Sequence, residues 1–148
     1  METGNLLIDA QAAFARQRRR RRVDRVVSWV RRNDVARLTS LDDALGSTPP
    51  GLRRRTGLEA IDLASIVGTA EPMKARVFDA RFRVPESSRK RWENLWLATR
   101  RGQAIPPISV FRIGDVHYVD DGHHRVSVAN ALGMAAIDAE VTELALGG

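Results

Sequence analysis

Residues 116–132 read VHYVDDGHHRVSVANAL, and this stretch decides the fold. Residues 116–119 read as the return strand of a hairpin, and 123–132 as a helix that stops at Gly133. Between them lie Asp121 and Gly122. A helix entered through such a turn exposes N–H groups that have no acceptor within the helix. Their partial positive charge attracts anions, and phosphate most of all. Gly122 permits a tight turn and close approach of a ligand to the backbone. Arg125 falls in the first helical turn, where a cation opposes the helix dipole. That placement makes sense when an anion sits between its guanidinium and the amides. His123 and His124 add donors, most fully when protonated. Asp121 reads as the N-cap or, alternatively, as a ligand for a metal ion that accompanies phosphates. A plainer reading stands beside this one, in which Asp121 only caps, Gly122 only turns and the histidines only face water. Two histidines and an arginine crowded into one turn have no stabilising rationale of their own, which favours the phosphate reading.

The flanking sequence supplies the rest of a domain. Pro106-Pro107 opens a strand over 108–113, and Gly114-Asp115 is a two-residue hairpin signal. Downstream, Ile137, Ala139 and Val141 alternate as a final strand. Residues 86–101 form an amphipathic helix with Trp92, Leu95, Trp96 and Thr99 on one face and Gly102 beyond its end. The two tryptophans could stack on a base, but Leu95 on the same face favours a core anchor. Residues 61–67 read as a strand ended by Gly68, and 77–84 as an extended, irregular segment stopped by Pro85. The order β-α-ββ-α-β with short connections predicts an α+β domain, a compact mixed sheet with helices, over residues 57–148.

Residues 1–56 form a basic helical arm before it. They hold 13 arginines against 6 acids, a net +7, whereas residues 57–148 come to −1. Of 24 cationic side chains 22 are arginine, whose planar fork suits phosphate recognition. Residues 6–30 read as helix with two apolar stripes, Leu7, Ala10 and Phe14 against Val23, Val26, Val27 and Val30, pointing in opposite directions. Either the helix breaks between them or one long helix serves two partners, and a homo-oligomer is one way to cover the second stripe. Arg18, Arg19, Arg20, Arg21 and Arg22 separate the stripes. Five consecutive arginines spread around a helix, yet a cluster this dense attracts polyanions, so these are the candidates for contact with DNA or RNA. Otherwise they are a solvated surface or pair with an acidic patch. Ser40 reads as the N-cap of a short helix with Asp43 in its first turn, Leu41 and Leu45 on its apolar side and Gly46 at its close. Residues 47–51 read as a linker, after which Arg53, Arg54 and Arg55 continue the basic surface.

The chain has no cysteine, which excludes disulfides, thiolate metal sites and a cysteine nucleophile. No apolar run reaches bilayer length and the first residues lack the order of a signal peptide, so a cytoplasmic protein without a membrane partner is expected. His117, Asp121, His123 and His124 fall within eight residues. Adjacent side chains diverge, however, and the spacing matches no metal-ligand pattern, so no metal is assigned to them.

From Pro106-Pro107-Ile108, through Gly114 and Tyr118, to Asp121-Gly122-His123-His124-Arg125 and Ile137-Asp138-Ala139, the order of residues resembles the ParB/sulfiredoxin superfamily. The resemblance covers residues 58–143 and is nearest to ParB-like N-terminal domain proteins carrying the same five-residue motif. It implies a nucleotide (ATP, ADP or CTP), with Mg2+ as its companion, held at Gly122, His123, His124 and Arg125. Sulfiredoxins carry Gly-Gly-Cys-His-Arg at this place; here the cysteine position is His123, so repair of a sulfinic acid is excluded. Chromosome-partitioning ParB proteins bind CTP and need a helix-turn-helix DNA domain after this one, which is not found before Gly148. The leading reading is a nucleotide-binding protein, a nucleotide-dependent switch that works with DNA through the basic arm. The free-serine kinases of the same superfamily imply a small-molecule kinase or NTP hydrolase using the same cleft as the alternative, with Asp121 as the candidate base. A non-catalytic interaction module is the third reading. The resemblance also puts Arg76, Arg81 and Arg83 near the nucleotide cleft.

Overall fold

Alternation along three strands places Ile108, Val110, Val119, Ala139 and Val141 on one face, and each is at most 2% exposed. The computed structural model describes residues 4–31, 38–46, 48 and 50–146. Its elements are α1 (Leu6–Arg31), β1 (Thr39–Ser40), α2 (Leu41–Leu45), β2 (Pro50–Asp62), β3 (Ile66–Thr69), α3 (Lys74–Val77), α4 (Arg89–Arg100), β4 (Ile108–Ile113), β5 (Val116–Asp121), α5 (His123–Ala131) and β6 (Ala136–Leu146). The strands form one sheet in the order β1-β3-β5-β4-β6-β2. Strand β4 runs antiparallel to β5 and parallel to β6, while β3 runs parallel to both β1 and β5. The fold is therefore α+β with a mixed sheet, as the sequence predicts.

Several boundaries differ from that expectation. Strand β2 starts at Pro50, inside the segment expected as linker, and pairs Arg53, Arg54 and Arg55 with Leu144, Glu143 and Thr142 of β6. A division between residues 56 and 57 thus falls within a strand. The strand expected over 61–67 is two, because a 3-10 turn over Leu63–Ser65 separates β2 from β3. The Ser65 hydroxyl fixes that turn by donating to the Asp62 carbonyl at 2.6 Å. Gly68 brings β3 against β1, since a Cβ there would lie 2.2 Å from the Thr39 carbonyl oxygen.

Helix α1 runs unbroken through the arginine run. Its buried stripe is Ala10, Ala13, Phe14, Gln17 and Arg21, while Leu7, expected on that stripe, is half exposed. Phe14 meets Trp92 of α4 edge to face at 5.7 Å, and Trp92 donates its indole N–H to Ser127 of α5 at 2.9 Å. Both tryptophans of α4 are core residues, Trp92 wholly buried and Trp96 nearly so. Of the second stripe, Val23 is exposed, and Val26, Val27 and Val30 lie outside the described side chains.

The lower half of the buried stripe is polar for a reason. The segment between α3 and α4 is irregular, so its backbone groups have no ladder partners. Gln17 supplies them to Val84, accepting from its N–H at 2.9 Å and donating to its carbonyl at 3.3 Å. Arg21 donates to the carbonyls of Val77 and Arg83 at 3.0 and 3.2 Å. Helix α1 is thereby tied to the core by one apolar and one polar seam. Replacing Phe14 by Ala should cost about 3–5 kcal/mol of stability in urea unfolding. A loss below about 1 kcal/mol would mean that α1 is not part of the cooperative core.

Candidate functional site

The entrance to α5 is built around a residue that has to be glycine. Gly122 takes φ 113° and is the N-cap position, with no side chain capping the helix. A Cβ at this position would lie 2.4 Å from Cγ2 of Ile108. The first intrahelical bond runs from the Val126 N–H to the Gly122 carbonyl at 3.0 Å. The amides of His123, His124 and Arg125 precede it and have no acceptor within the helix.

Asp121 is not the cap. It ends β5 opposite Ser109, and its carboxylate, 80% exposed, accepts from Nη2 of Arg125 at 3.1 Å. The other arm of that guanidinium donates to the carbonyls of Pro106 and Pro107 at 2.9 and 2.7 Å. Arg125 therefore clamps the segment before β4, the end of β5 and the first turn of α5 to one another. It also borders a cavity of about 210 Å³ lined by Thr99, Ile105, Pro106 and Ile137.

The two histidines turn inward. His123 is 4% exposed, lies 5.4 Å from the Phe78 ring, and shares a 2.6 Å hydrogen bond with the Thr69 hydroxyl through Nε2. His124 sits edge-on to Phe78 at 5.1 Å, with Nε2 3.3 Å from the Ser88 hydroxyl. Burial first, and then Lys74, lowers the pKa of His123 from 6.5 to about 4. Burial, then Arg91 and Lys74, brings His124 to about 4 as well. Both imidazoles are neutral near pH 7, which corrects the expectation that they act as charged donors.

Lys74 on α3 and Arg91 on α4 were not legible as site residues. Their charge contributes to the lowered pKa values of the two imidazoles. Lys74 lies in a stretch without periodicity. Arg91 is an exposed residue just ahead of Trp92, and helical pattern alone does not say which neighbour it faces.

The other sequence candidates are dispersed. His117, at the far end of β5, bonds Ser65 through Nδ1 at 2.8 Å, and burial lowers its pKa. Among the described residues no three His, Asp or Glu side chains gather as a metal site. Arg83 is held by Asp79 at 2.9 Å, Arg76 is exposed, and Arg81 borders a different cavity between α1 and α5. The arginine run is divided: Arg21 is buried, Arg18 reaches the Val84 carbonyl at 3.4 Å, Arg20 is exposed at the edge of that same cavity, and Arg19 and Arg22 are exposed. No helix among the described residues is long and apolar enough to cross a membrane.

The chain is similar to sulfiredoxin. A solved structure of the sulfiredoxin from Arabidopsis thaliana matches 57% of this chain and 82% of its own, with 20% identity and a TM-score of 0.42. No protein-family model and no curated protein matches the chain.

The lowered histidine pKa values give a stability prediction. Between about pH 4 and 6.5 the unfolded chain holds protons that the folded chain refuses, so stability rises with pH across that window. The contribution is complete above pH 6.5 and is lost as pH falls towards about 4. For His123 alone, acidification from pH 7 to about pH 4.5 should remove about 2 kcal/mol. Urea midpoints across this range should fall less steeply in His123→Gln than in the parent chain. Parallel slopes for the two would contradict a buried, neutral His123.

Proposed function

We propose that this chain binds the phosphates of a nucleotide at the entrance to α5. The observation that carries the reading is the helix start itself, with no side-chain cap and a glycine that no other residue can replace. An anion placed there would accept from the backbone N–H groups of His123 and His124. Lys74 and Arg91 would supply the charge, and Ser88 a hydroxyl. Arg125 acts by position, since its donors already hold Pro106, Pro107 and Asp121. The cavity beside Arg125, with Ile105 and Ile137 on its wall, suits the less polar body of the same ligand. The exposed carboxylate of Asp121 would offer an oxygen to a Mg2+ ion carried by the nucleotide. The sequence resemblance to ParB-like proteins and sulfiredoxins implies the same ligand class.

Binding has more support than turnover. The histidine ring nitrogens that touch hydroxyls belong to neutral, weakly basic imidazoles, and the candidate base Asp121 is engaged by Arg125. Association with DNA or RNA has less, because Arg18 and Arg21 are engaged by backbone carbonyls.

Thermal unfolding with ATP, ADP, CTP and inorganic pyrophosphate tests the proposal. A ligand at 100 times its Kd should stabilise the fold by about 2.7 kcal/mol, which is roughly 5–10 °C in Tm for a chain of this length. The double substitution Lys74→Ala, Arg91→Ala should weaken binding by about tenfold or more. If none of the four ligands shifts the transition at millimolar concentration, the proposal fails.

A further inference from the structure

A second cavity, of about 360 Å³, opens between α1 and α5. Its floor is apolar: Ala13, Leu63, Ile66 and Phe82 all belong to the main core and are at most 8% exposed. Arg16, Arg20, Arg81 and Arg83 line it, and among the described residues no acidic side chain does. Arg83 is neutralised by Asp79. Arg16, Arg20 and Arg81 are exposed and make no ion pair among the described residues. Arg16 and Arg20 are four residues apart on α1, hence on the same side of the helix. Three guanidinium groups therefore border an apolar hollow with no acidic partner among the described residues.

The loop that brings Arg81 there is strained. Phe82 has φ 60°, the left-handed region that a bulky side chain occupies at a cost of about 1–2 kcal/mol. Asp79 enforces the conformation. Its carboxylate accepts from the N–H groups of Arg81 and Arg83 at 3.0 and 2.9 Å, and from the Arg83 guanidinium at 2.9 Å. The result places the Phe82 ring on the floor and the two flanking arginines on the wall. Strain held this firmly, at the lip of a cavity, is a common mark of a ligand site.

We infer that this cavity binds a small organic anion, an apolar or aromatic body bearing a carboxylate or phosphate group. The body lies on Phe82, Ile66 and Leu63, and the anionic group meets Arg16, Arg20 and Arg81. Arginine forks suit both carboxylate and phosphate oxygens, and the volume fits a one- or two-ring compound rather than a polymer. The site is separate from the α5 entrance: Arg125, His123 and His124 do not line it.

Calorimetric titration of the full chain with 2-naphthoate and with its neutral counterpart 2-naphthalenemethanol tests this inference. The carboxylate should bind with a stoichiometry near one, and the neutral compound at least tenfold more weakly. The exposed pair Arg16→Gln, Arg20→Gln should lower naphthoate affinity at least tenfold, and saturating pyrophosphate should leave it unchanged. Nuclear magnetic resonance shifts should centre on Phe82 and Ile66. Equal affinity for the charged and neutral compounds, unaltered affinity in the double variant, competition by pyrophosphate, or no saturable binding would each overturn the inference.

Discussion

One guanidinium holds the entrance to α5 together. Arg125 is the point where the segment before β4, the last residue of β5 and the first turn of α5 meet, joined by three hydrogen bonds of 2.7 to 3.1 Å. Two consecutive prolines have no N–H to give, and their carbonyls accept from the Arg125 side chain. An arginine in the first turn of a helix is unfavourable to the dipole. Here that cost is offset by the exposed carboxylate of Asp121 and by two carbonyl dipoles. With the clamp in place, Gly122 packs against Ile108 at a distance no Cβ permits, and the amides that follow keep a fixed direction.

Behind the entrance, His123 and His124 each share a hydrogen bond with a hydroxyl, that of Thr69 and that of Ser88. An imidazole packed on phenylalanine rings and bonded to a neutral hydroxyl is held in its uncharged form. The histidines thus build the wall of the site from polar but neutral groups, and the positive charge comes from Lys74 and Arg91. This division explains how two adjacent, largely buried histidines stay uncharged in the field of two cations.

The hairpin and the helix after it were legible because their signals are local. Pro106-Pro107, Gly114-Asp115 and the Gly122 turn each dictate backbone geometry over a few residues, and β4, β5 and α5 follow. Less was visible where a partner lies far along the chain. Thr69 and Ser88 are 54 and 36 residues from the histidines they meet, so sequence could show the rings but not their direction. Arg21 reads as one of five solvated arginines, and its bonds to the distant carbonyls of Val77 and Arg83 leave no local signal. The start of β2 was hidden for another reason. An edge strand needs no buried face, and Arg53, Arg54 and Arg55 are all exposed.

The proposed phosphate site consists of the backbone amides at the mouth of α5. The most direct test is a two-dimensional proton–nitrogen spectrum of the labelled chain titrated with ATP or pyrophosphate. Phosphate held by those amides should move the Gly122, His123 and His124 resonances first and furthest, along one saturating curve. Saturable binding with these three signals unmoved would place the ligand elsewhere and contradict the account.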